Sequence, residues 1–566
     1  MRTSDRLLAR TVRRHRGPVA ALAVLRLADA GTALAVPAVL AATVDAVLHR
    51  DTGGAPIVAI CGLVLLVTLV EMGNELVEAT VRARAVAWLR AETFTRMLGL
   101  GLLGRRRFPV GDAMGRALES TAETSGAAPS GLDLVFSALT SFAGLVALAV
   151  IDWRMVLVFA LGVPVVWLLA RLLIRRTTAL TRQYQRVHGE LSHRFLDALS
   201  GARTIRAAGT LDREVTRVLV PLAGLREAGL GFWEAQRRSG WHLAVLAPVL
   251  QIGVLITGGL GVAAGRLSAG ELLAAQLYLM QAMGLLSQVG IVAQIGRIRG
   301  SAERVQEIFD EPLPDPGRGT VPPGGGALSL HDVTASADGR RVLDGVHLDV
   351  PAGARLAVVG ASGAGKTTLA LVAGGVLAPE QGTVRLDGAR LDALDRAEVS
   401  AAFAFAFERP HLFGGTVRGM IGYGDRPVPA EAVRAAAVAS RADPFVSRLP
   451  EGYDTPLGGL RLSGGELQRL GLARAFCRGA RVLVLDDALS SVDTATGNDI
   501  EHAMDEALHG VTRIVVAHRL RTARNADLVA WLDEGRIRAV GPHVALMAEP
   551  AYRAVFGLQE ESCPIP

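Results

Sequence analysis

Apolar residues in the first half of the chain run on without the polar face that a surface helix shows. The clearest runs are roughly Pro18–Leu48, Ala55–Leu76, Gly131–Ile151, Met155–Leu173, Leu243–Ala264 and Leu272–Ile295. A bilayer core needs about 20 residues of helix, and these runs meet or approach that length. They predict a membrane all-α domain of six helices. The segments between the second and third runs, and between the fourth and fifth, are less apolar. They read as helices that continue into the cytoplasm. The last run carries Gln276, Gln281, Gln288 and Gln294, which either line a polar pathway or hydrogen-bond between helices. Arg26 and Asp29, three apart in the first run, are placed to pair on one helix face.

The pattern changes near residue 310. The stretch "DEPLPDPGRGTVPPGGG", Asp310–Gly326, is dense in proline and glycine and cannot continue a helix. Beyond it, short apolar runs of strand length alternate with helical stretches, as in an α/β domain. The chain therefore divides into residues 1–309, a linker over 310–326, and an α/β domain over 327–566.

Composition supports this division. The chain has 566 residues, half of them apolar, too long for one ordinary core. Mean hydropathy is positive at +0.34, unusual for a soluble enzyme. Arginine crowds the N-terminus, the stretch after the second run (Arg105, Arg106, Arg107) and the end of the fourth (Arg171, Arg175, Arg176). The intervening loops "HRDTGGAP", "DWR" and "GRLSAG" are poor in it. The positive-inside rule then predicts a multi-pass protein of the plasma (cytoplasmic) membrane, with both termini and the second domain in the cytoplasm. Cys61, Cys477 and Cys563 are too scattered for a disulfide framework or a zinc site. The N-terminus is arginine-rich but lacks the pattern of a cleaved signal.

The α/β half carries the chemistry. "RLAVVGASGAGKTTLA" reads as a buried strand, a glycine loop and a helix start. Gly360, Gly365, Lys366 and Thr367 fit G-x-x-x-x-G-K-[ST], a loop whose backbone N–H groups close around phosphate at a helix N-terminus. The whole loop, Gly360, Ala361, Ser362, Gly363, Ala364, Gly365, Lys366, Thr367 and Thr368, is the candidate nucleotide cradle, and Thr367 is a candidate Mg²⁺ ligand. Lys366 is the only lysine in the chain. A general bias towards arginine is one reading; the other is that lysine survives where arginine will not fit, since a compact ammonium and a planar guanidinium are not interchangeable. "RVLVLDD" is a second buried strand. Asp486, at its C-terminal end, faces the crevice where such sheets bind ligands and is placed to hold Mg²⁺. "TRIVVAH" is a third, ending in His518, which is placed to touch a γ-phosphate.

"LRLSGGELQRLGLARA" resembles the signature motif of ABC transporters, with Ser463, Gly464, Gly465 and Glu466 at its start. The loop, the signature, the paired acids, "SSVD" and "AHRL" follow that family's order and spacing. The resemblance spans the whole chain and is to a half-transporter of the exporter type. It implies ATP and Mg²⁺ as cofactors and a second half-transporter chain as partner. It also implies a lipid bilayer around the first domain, and a sandwich in which each ATP lies between one chain's loop and the other chain's signature. In that arrangement Ser463, Gly464, Gly465, Glu466 and Asp493 act in trans. Coupling helices are expected near Pro109–Arg116 and Ala207–Arg213.

Four positions depart from the family pattern. Asp487 stands where the family has the glutamate that serves as general base. Glu408 stands where a glutamine of the metal-sensing loop is usual; it is a candidate catalytic residue and Mg²⁺ ligand that still offers oxygen to the ion but adds negative charge beside the phosphates. Ala337 falls where an adenine-stacking aromatic is expected. The stretch before the signature is short and lacks its usual acid. Three changes lie on this chain's own loop side, whereas its signature is intact. The expected arrangement is a heterodimer in which this chain's own site is the slow one, favoured over a homodimer in which the aspartate works slowly.

Exporter is the leading expectation, with an amphipathic small molecule, lipid or peptide as cargo. An importer on the exporter plan and a slowly hydrolysing regulatory half are the competing readings. The six spans exclude a soluble ATPase of the DNA-repair or translation type, and no nucleic-acid partner is expected. The short stretch before the first span leaves no room for an N-terminal peptidase domain.

Overall fold

A computed structural model describes residues 3–49, 54–284, 288–313, 317–337, 339–517 and 519–557. They form two compact units, residues 1–98 with 109–311, and residues 99–108 with the chain from 312 onwards.

The first unit is helical: α1 (Thr3–Arg14), α2 (Arg16–Leu48), α3 (Ala55–Arg107, broken at Gly101, its residues from 99 onwards belonging to the second unit), α4 (Val110–Gly115), α5 (Thr121–Thr124), α6 (Ala127–Ile151), α7 (Trp153–Ser200), α8 (Ala202–Ala208), α9 (Leu211–Leu219), α10 (Leu222–Ala263), α11 (Ala269–Met283) and α12 (Gln288–Asp310). All six apolar runs fall on helices, the last of them on α11 and the start of α12. Among the described residues, Arg16–Leu48, Ile57–Leu102 and Val110–Ile151 are long and apolar enough to cross a membrane. Trp153–Gly162 and Pro248–Ala263 are shorter apolar stretches. Val58, Val64, Leu65 and Leu69 of α3 are exposed, the reverse of a soluble helix and the pattern that lipid requires. Proline sits inside α2, α7 and α10, as membrane helices tolerate. Asp152 separates α6 from α7. Its extended backbone stops the first helix, and its carboxylate accepts from the Arg154 amide at 2.9 Å to cap the second.

Arg26 does not pair with Asp29. Its guanidinium reaches Glu78 of α3 at 2.7 Å and Asp133 of α6 at 2.9 Å. Glu78 also holds Arg82 at 2.9 Å. A pair within one helix is worth only a few tenths of a kcal/mol. Two carboxylates from neighbouring helices give the half-buried guanidinium charge-assisted partners that a single-helix pair does not. Of the four glutamines, Gln281 takes a partner from another helix. Gln281 donates to the Ala33 carbonyl of α2, beside the Tyr278 hydroxyl on Leu34 O at 2.9 Å. That is the interhelical role.

The far ends of α2 and α11 are clasped. Asp45 accepts from the Ser268 hydroxyl at 2.6 Å and the Gly270 amide at 2.9 Å. Ser268 in turn caps α11 in a reciprocal box with Glu271. The contact is tight because Gly270 has no side chain; a β-carbon there would lie 2.2 Å from the Ala41 carbonyl oxygen. Gly270→Ala is therefore expected to cost about 1–3 kcal/mol by overpacking. A lowered midpoint of thermal unfolding in detergent checks it, and an unchanged midpoint would refute the clasp.

The second unit holds two sheets. β1 (Leu328–Ala337), β2 (Arg340–Val350), β4 (Gln381–Leu386) and β5 (Ala389–Arg390) form an antiparallel sheet in the order β2-β1-β4-β5. β3 (Arg355–Val359), β6 (Phe403–Phe407), β7 (Val482–Asp486), β8 (Thr512–Val516), β9 (Leu528–Asp533) and β10 (Arg536–Gly541) form the other, in the order β10-β9-β3-β8-β7-β6. Its strands are parallel except at the β10 edge. Parallel strands buried on both faces read as continuous apolar runs, which is why β3 and β7 stand out in the sequence. Helices α13 (Lys366–Ala373), α14 (Arg396–Ala402), α15 (Val417–Ile421), α16 (Ala430–Ala439), α17 (Asp443–Val446), α18 (Gly464–Cys477), α19 (Thr494–Ala507), α20 (Leu520–Arg524), α21 (His543–Leu546) and α22 (Pro550–Val555) complete it. One buried core gathers Leu330, Leu343, Val358, Leu369, Val484 and Ile514 between the sheets and α13. It fixes the loop between β3 and α13.

Candidate functional site

The loop from Gly360 to Gly365 turns β3 into α13. Gly360 admits no side chain, since a β-carbon would meet the Leu532 carbonyl oxygen at 2.2 Å. Gly365, the N-cap of α13, sits at φ 102°, which glycine alone adopts readily. Lys366 folds back over the loop and donates from Nζ to Gly360 O at 2.8 Å and Ala361 O at 2.9 Å. It is only 6 % exposed. Burial pushes its pKa down, and the nearby carboxylates of Asp487 and Asp486 counter that. An ammonium held at the mouth of a helix N-terminus is chemistry suited to phosphate.

Asp486 ends β7, level with Phe407 of β6 and Val516 of β8. It is 9 % exposed, and the Thr367 hydroxyl donates to its Oδ1 at 2.9 Å. Two hard oxygen groups thus meet between α13 and β7. Mg²⁺ takes such a pair when phosphate oxygens and waters complete its shell, so these residues fit the ion. Among the described residues no group of three or more histidine, cysteine or carboxylate side chains is placed to hold a metal ion. Asp487 follows at φ 52°, a left-handed backbone that aspartate accepts more readily than most residues. It leaves the strand there, and its carbonyl accepts the Ser490 amide at 3.1 Å.

Glu408 follows β6, with its side chain half-exposed and 3.7 Å from Arg409. His518 lies outside the described residues. Ala337 ends β1, directly across from Arg340 of β2.

Ser463 is the N-cap of α18. Its hydroxyl accepts the Glu466 amide at 3.3 Å, and Glu466 returns a bond to the Ser463 amide at 2.8 Å. The Ser463 amide holds the Glu466 carboxyl below the usual carboxylate range. Asp493 caps α19 by accepting the Thr496 amide at 2.9 Å, which lowers its own pKa. Both acids therefore serve helix ends within the chain. Gly464 and Gly465 lie against Ser491, so the signature packs on the "SSVD" loop.

One residue the sequence reading passed over joins these parts. Gln468 of α18 is 2 % exposed. Its Nε2 donates to Glu408 O at 3.0 Å and Ser490 Oγ at 2.8 Å. Its Oε1 accepts the Ser491 amide at 2.8 Å. The available signal was an uncharged polar residue on the apolar face of the signature helix.

The arrangement is matched in known proteins. Residues 19–286 match the family model "ABC transporter transmembrane region", and residues 343–490 match "ABC transporter". The chain is 41% identical over 547 residues to the ABC transporter ATP-binding protein RamA of Streptomyces coelicolor, covering 96% of this chain and 86% of that protein. It is 31% identical over 489 residues to an ATP-dependent lipid A-core flippase of Chromohalobacter salexigens, with 83% of each covered. Its fold is similar to that of a bacterial Atm1-family ABC exporter solved with ATP bound. The TM-score is 0.78 at 26% identity, over 97% of this chain and 99% of the other.

Proposed function

The chain belongs to the ABC transporter family, and from that premise we propose that it is the slower half of a heterodimeric exporter. The coarser facts stand with the family: an integral membrane protein with a helical transmembrane domain, an ATPase domain that binds and hydrolyses ATP, and export driven by that hydrolysis. Exporters of this fold work as paired halves in a bilayer.

The finer reading assigns roles. Residues 1–309 form the membrane domain, 310–326 the linker and 327–566 the ATPase, with both termini cytoplasmic in the cytoplasmic membrane. The loop Gly360–Thr368 cradles the phosphates, and Lys366 neutralises their charge. Thr367 and Asp486 hold Mg²⁺, which when bound shields that charge. Asp487 orients the attacking water and accepts its proton. Glu408 is assigned to Mg²⁺ and His518 to the γ-phosphate. Ser463, Gly464 and Gly465 serve the ATP of the other chain.

The observation that carries the reading is an imbalance. The signature helix is capped at its N-terminus by a reciprocal box and packed on Ser491, while Asp487, Glu408 and Ala337 all depart from the family on the loop side. A carboxylate misplaced by about 1 Å can slow a step roughly a hundredfold. Cargo of amphipathic character is supported by the lipid A-core flippases among the relatives and by the few ionised groups in the apolar runs.

The test is phosphate release by the chain purified alone and after co-expression with a partner half-transporter. The chain alone is expected to run at under about a tenth of the pair's rate, given that hundredfold scale. Full activity from the chain alone would sink the heterodimer.

A further inference from the structure

The hairpin of β1 and β2 passes over the phosphate loop. Val342 of β2 lies so close to Gly365 that a β-carbon there would meet its carbonyl oxygen at 2.9 Å and its Cγ1 at 3.0 Å. A nucleotide whose phosphates sit in the loop has this hairpin as a neighbouring wall. Two residues back along β2, about 7 Å of strand, stands Arg340. It is the direct cross-strand partner of Ala337, and directly paired residues project from the same face. Arg340 is exposed. Its neighbour Arg341 is held by Asp344 at 3.0 Å, and Arg536 also pairs with Asp344. Among the described residues no such ion pair engages Arg340.

We propose that Arg340 is the adenine platform of this chain's own site, its guanidinium lying against the base over the small Ala337. A guanidinium is planar, delocalised and weakly hydrated, so it stacks on aromatic faces as a lysine ammonium cannot. Stacking reads a π-face and not its edge, so the site takes purine nucleotides with little preference between adenine and guanine. Ala337 contributes by what it lacks. A large side chain there would occupy the face that Arg340 and the base share. The proposal rests on the nucleotide-site reading above.

The experiment is equilibrium binding of radiolabelled ATP to the full-length chain in detergent, in the cold and without Mg²⁺ so that nothing turns over. Inorganic tripolyphosphate serves as competitor. Arg340→Ala is expected to weaken ATP about tenfold, the scale of one lost stacking contact, and to leave tripolyphosphate competition unchanged. Arg340→Lys should resemble Arg340→Ala, because the charge remains and the plane is gone. Adding Ala337→Tyr to Arg340→Ala should restore ATP affinity. ATP affinity within twofold of the unsubstituted chain in Arg340→Ala, or in Arg340→Lys, would overturn the proposal. Weakening of ATP and tripolyphosphate alike would overturn it too, by making Arg340 a phosphate contact. Failure of the unsubstituted chain to bind either ligand would overturn the nucleotide-site reading, and this proposal with it.

Discussion

Arginine at position 366 is expected to lower nucleotide binding and hydrolysis at this chain's own site by about a hundredfold or more. Lys366 is almost fully enclosed, and its Nζ reaches two loop carbonyls, Gly360 O and Ala361 O, at 2.8 and 2.9 Å. That seat suits a compact cation with three donors. A guanidinium is wider, flat and fixed in its fork, and the close approach of Gly360 to Leu532 leaves the loop no room to widen. Hydrogen bonds to a charged group are worth about 1.5–3 kcal/mol each. Losing one or two amounts to about one to four orders of magnitude, at about 1.4 kcal/mol per tenfold, and a hundredfold lies within that range. Phosphate release and labelled-ATP binding by Lys366→Arg, with thermal unfolding as the check on folding, test this. A variant that keeps half the activity would show that charge alone is needed here.

Lengthening Asp487 by one methylene should act in the opposite direction. Asp487→Glu is expected to raise hydrolysis at this site by about ten- to a hundredfold, since roughly 1 Å of reach can be worth that much. The backbone opposes the change mildly. Asp487 sits at φ 52°, where a longer side chain loses the tolerance that aspartate and asparagine enjoy, at a cost bounded by about 1–2 kcal/mol. That cost falls on stability and not on the chemical step. Asp487→Asn keeps the length and the backbone preference but removes the base, so it should be no faster than the natural chain. The measurement is phosphate release by the assembled pair with the partner's own site disabled. Equal rates for Glu, Asp and Asn at this position would deny the carboxylate any catalytic role and favour a purely regulatory half.

Much of the site was legible because its parts are local. β3, the glycine loop and α13 occupy one continuous stretch, and each glycine answers a constraint within it. β7 was legible because burial on both faces leaves an apolar run that ends in acid. What escaped depends on distant partners. Arg26 was assigned to Asp29 because sequence exposes only neighbours three or four apart. Its true partners come from α3 and α6. Glu466 and Asp493, which the family resemblance directs towards another chain, also satisfy orphan amides of their own helices, a role that only the helix starts reveal. The left-handed turn at Asp487 has no sequence mark beyond the residue type. Gln468 was missed for a similar reason. A polar side chain on an apolar helix face gives no hint of the loops that wait for it.

That glutamine ties together three pieces of chain that the sequence keeps far apart. Its single amide holds the carbonyl of Glu408, the hydroxyl of Ser490 and the amide of Ser491, and its backbone belongs to the signature helix. Any force that displaces the loop after β6 must drag the signature helix with it or break these bonds one by one. The amide therefore works as a mechanical linkage. A displacement of the loop after β6 is thereby delivered to the signature helix and to the Ser490–Ser491 turn as one movement.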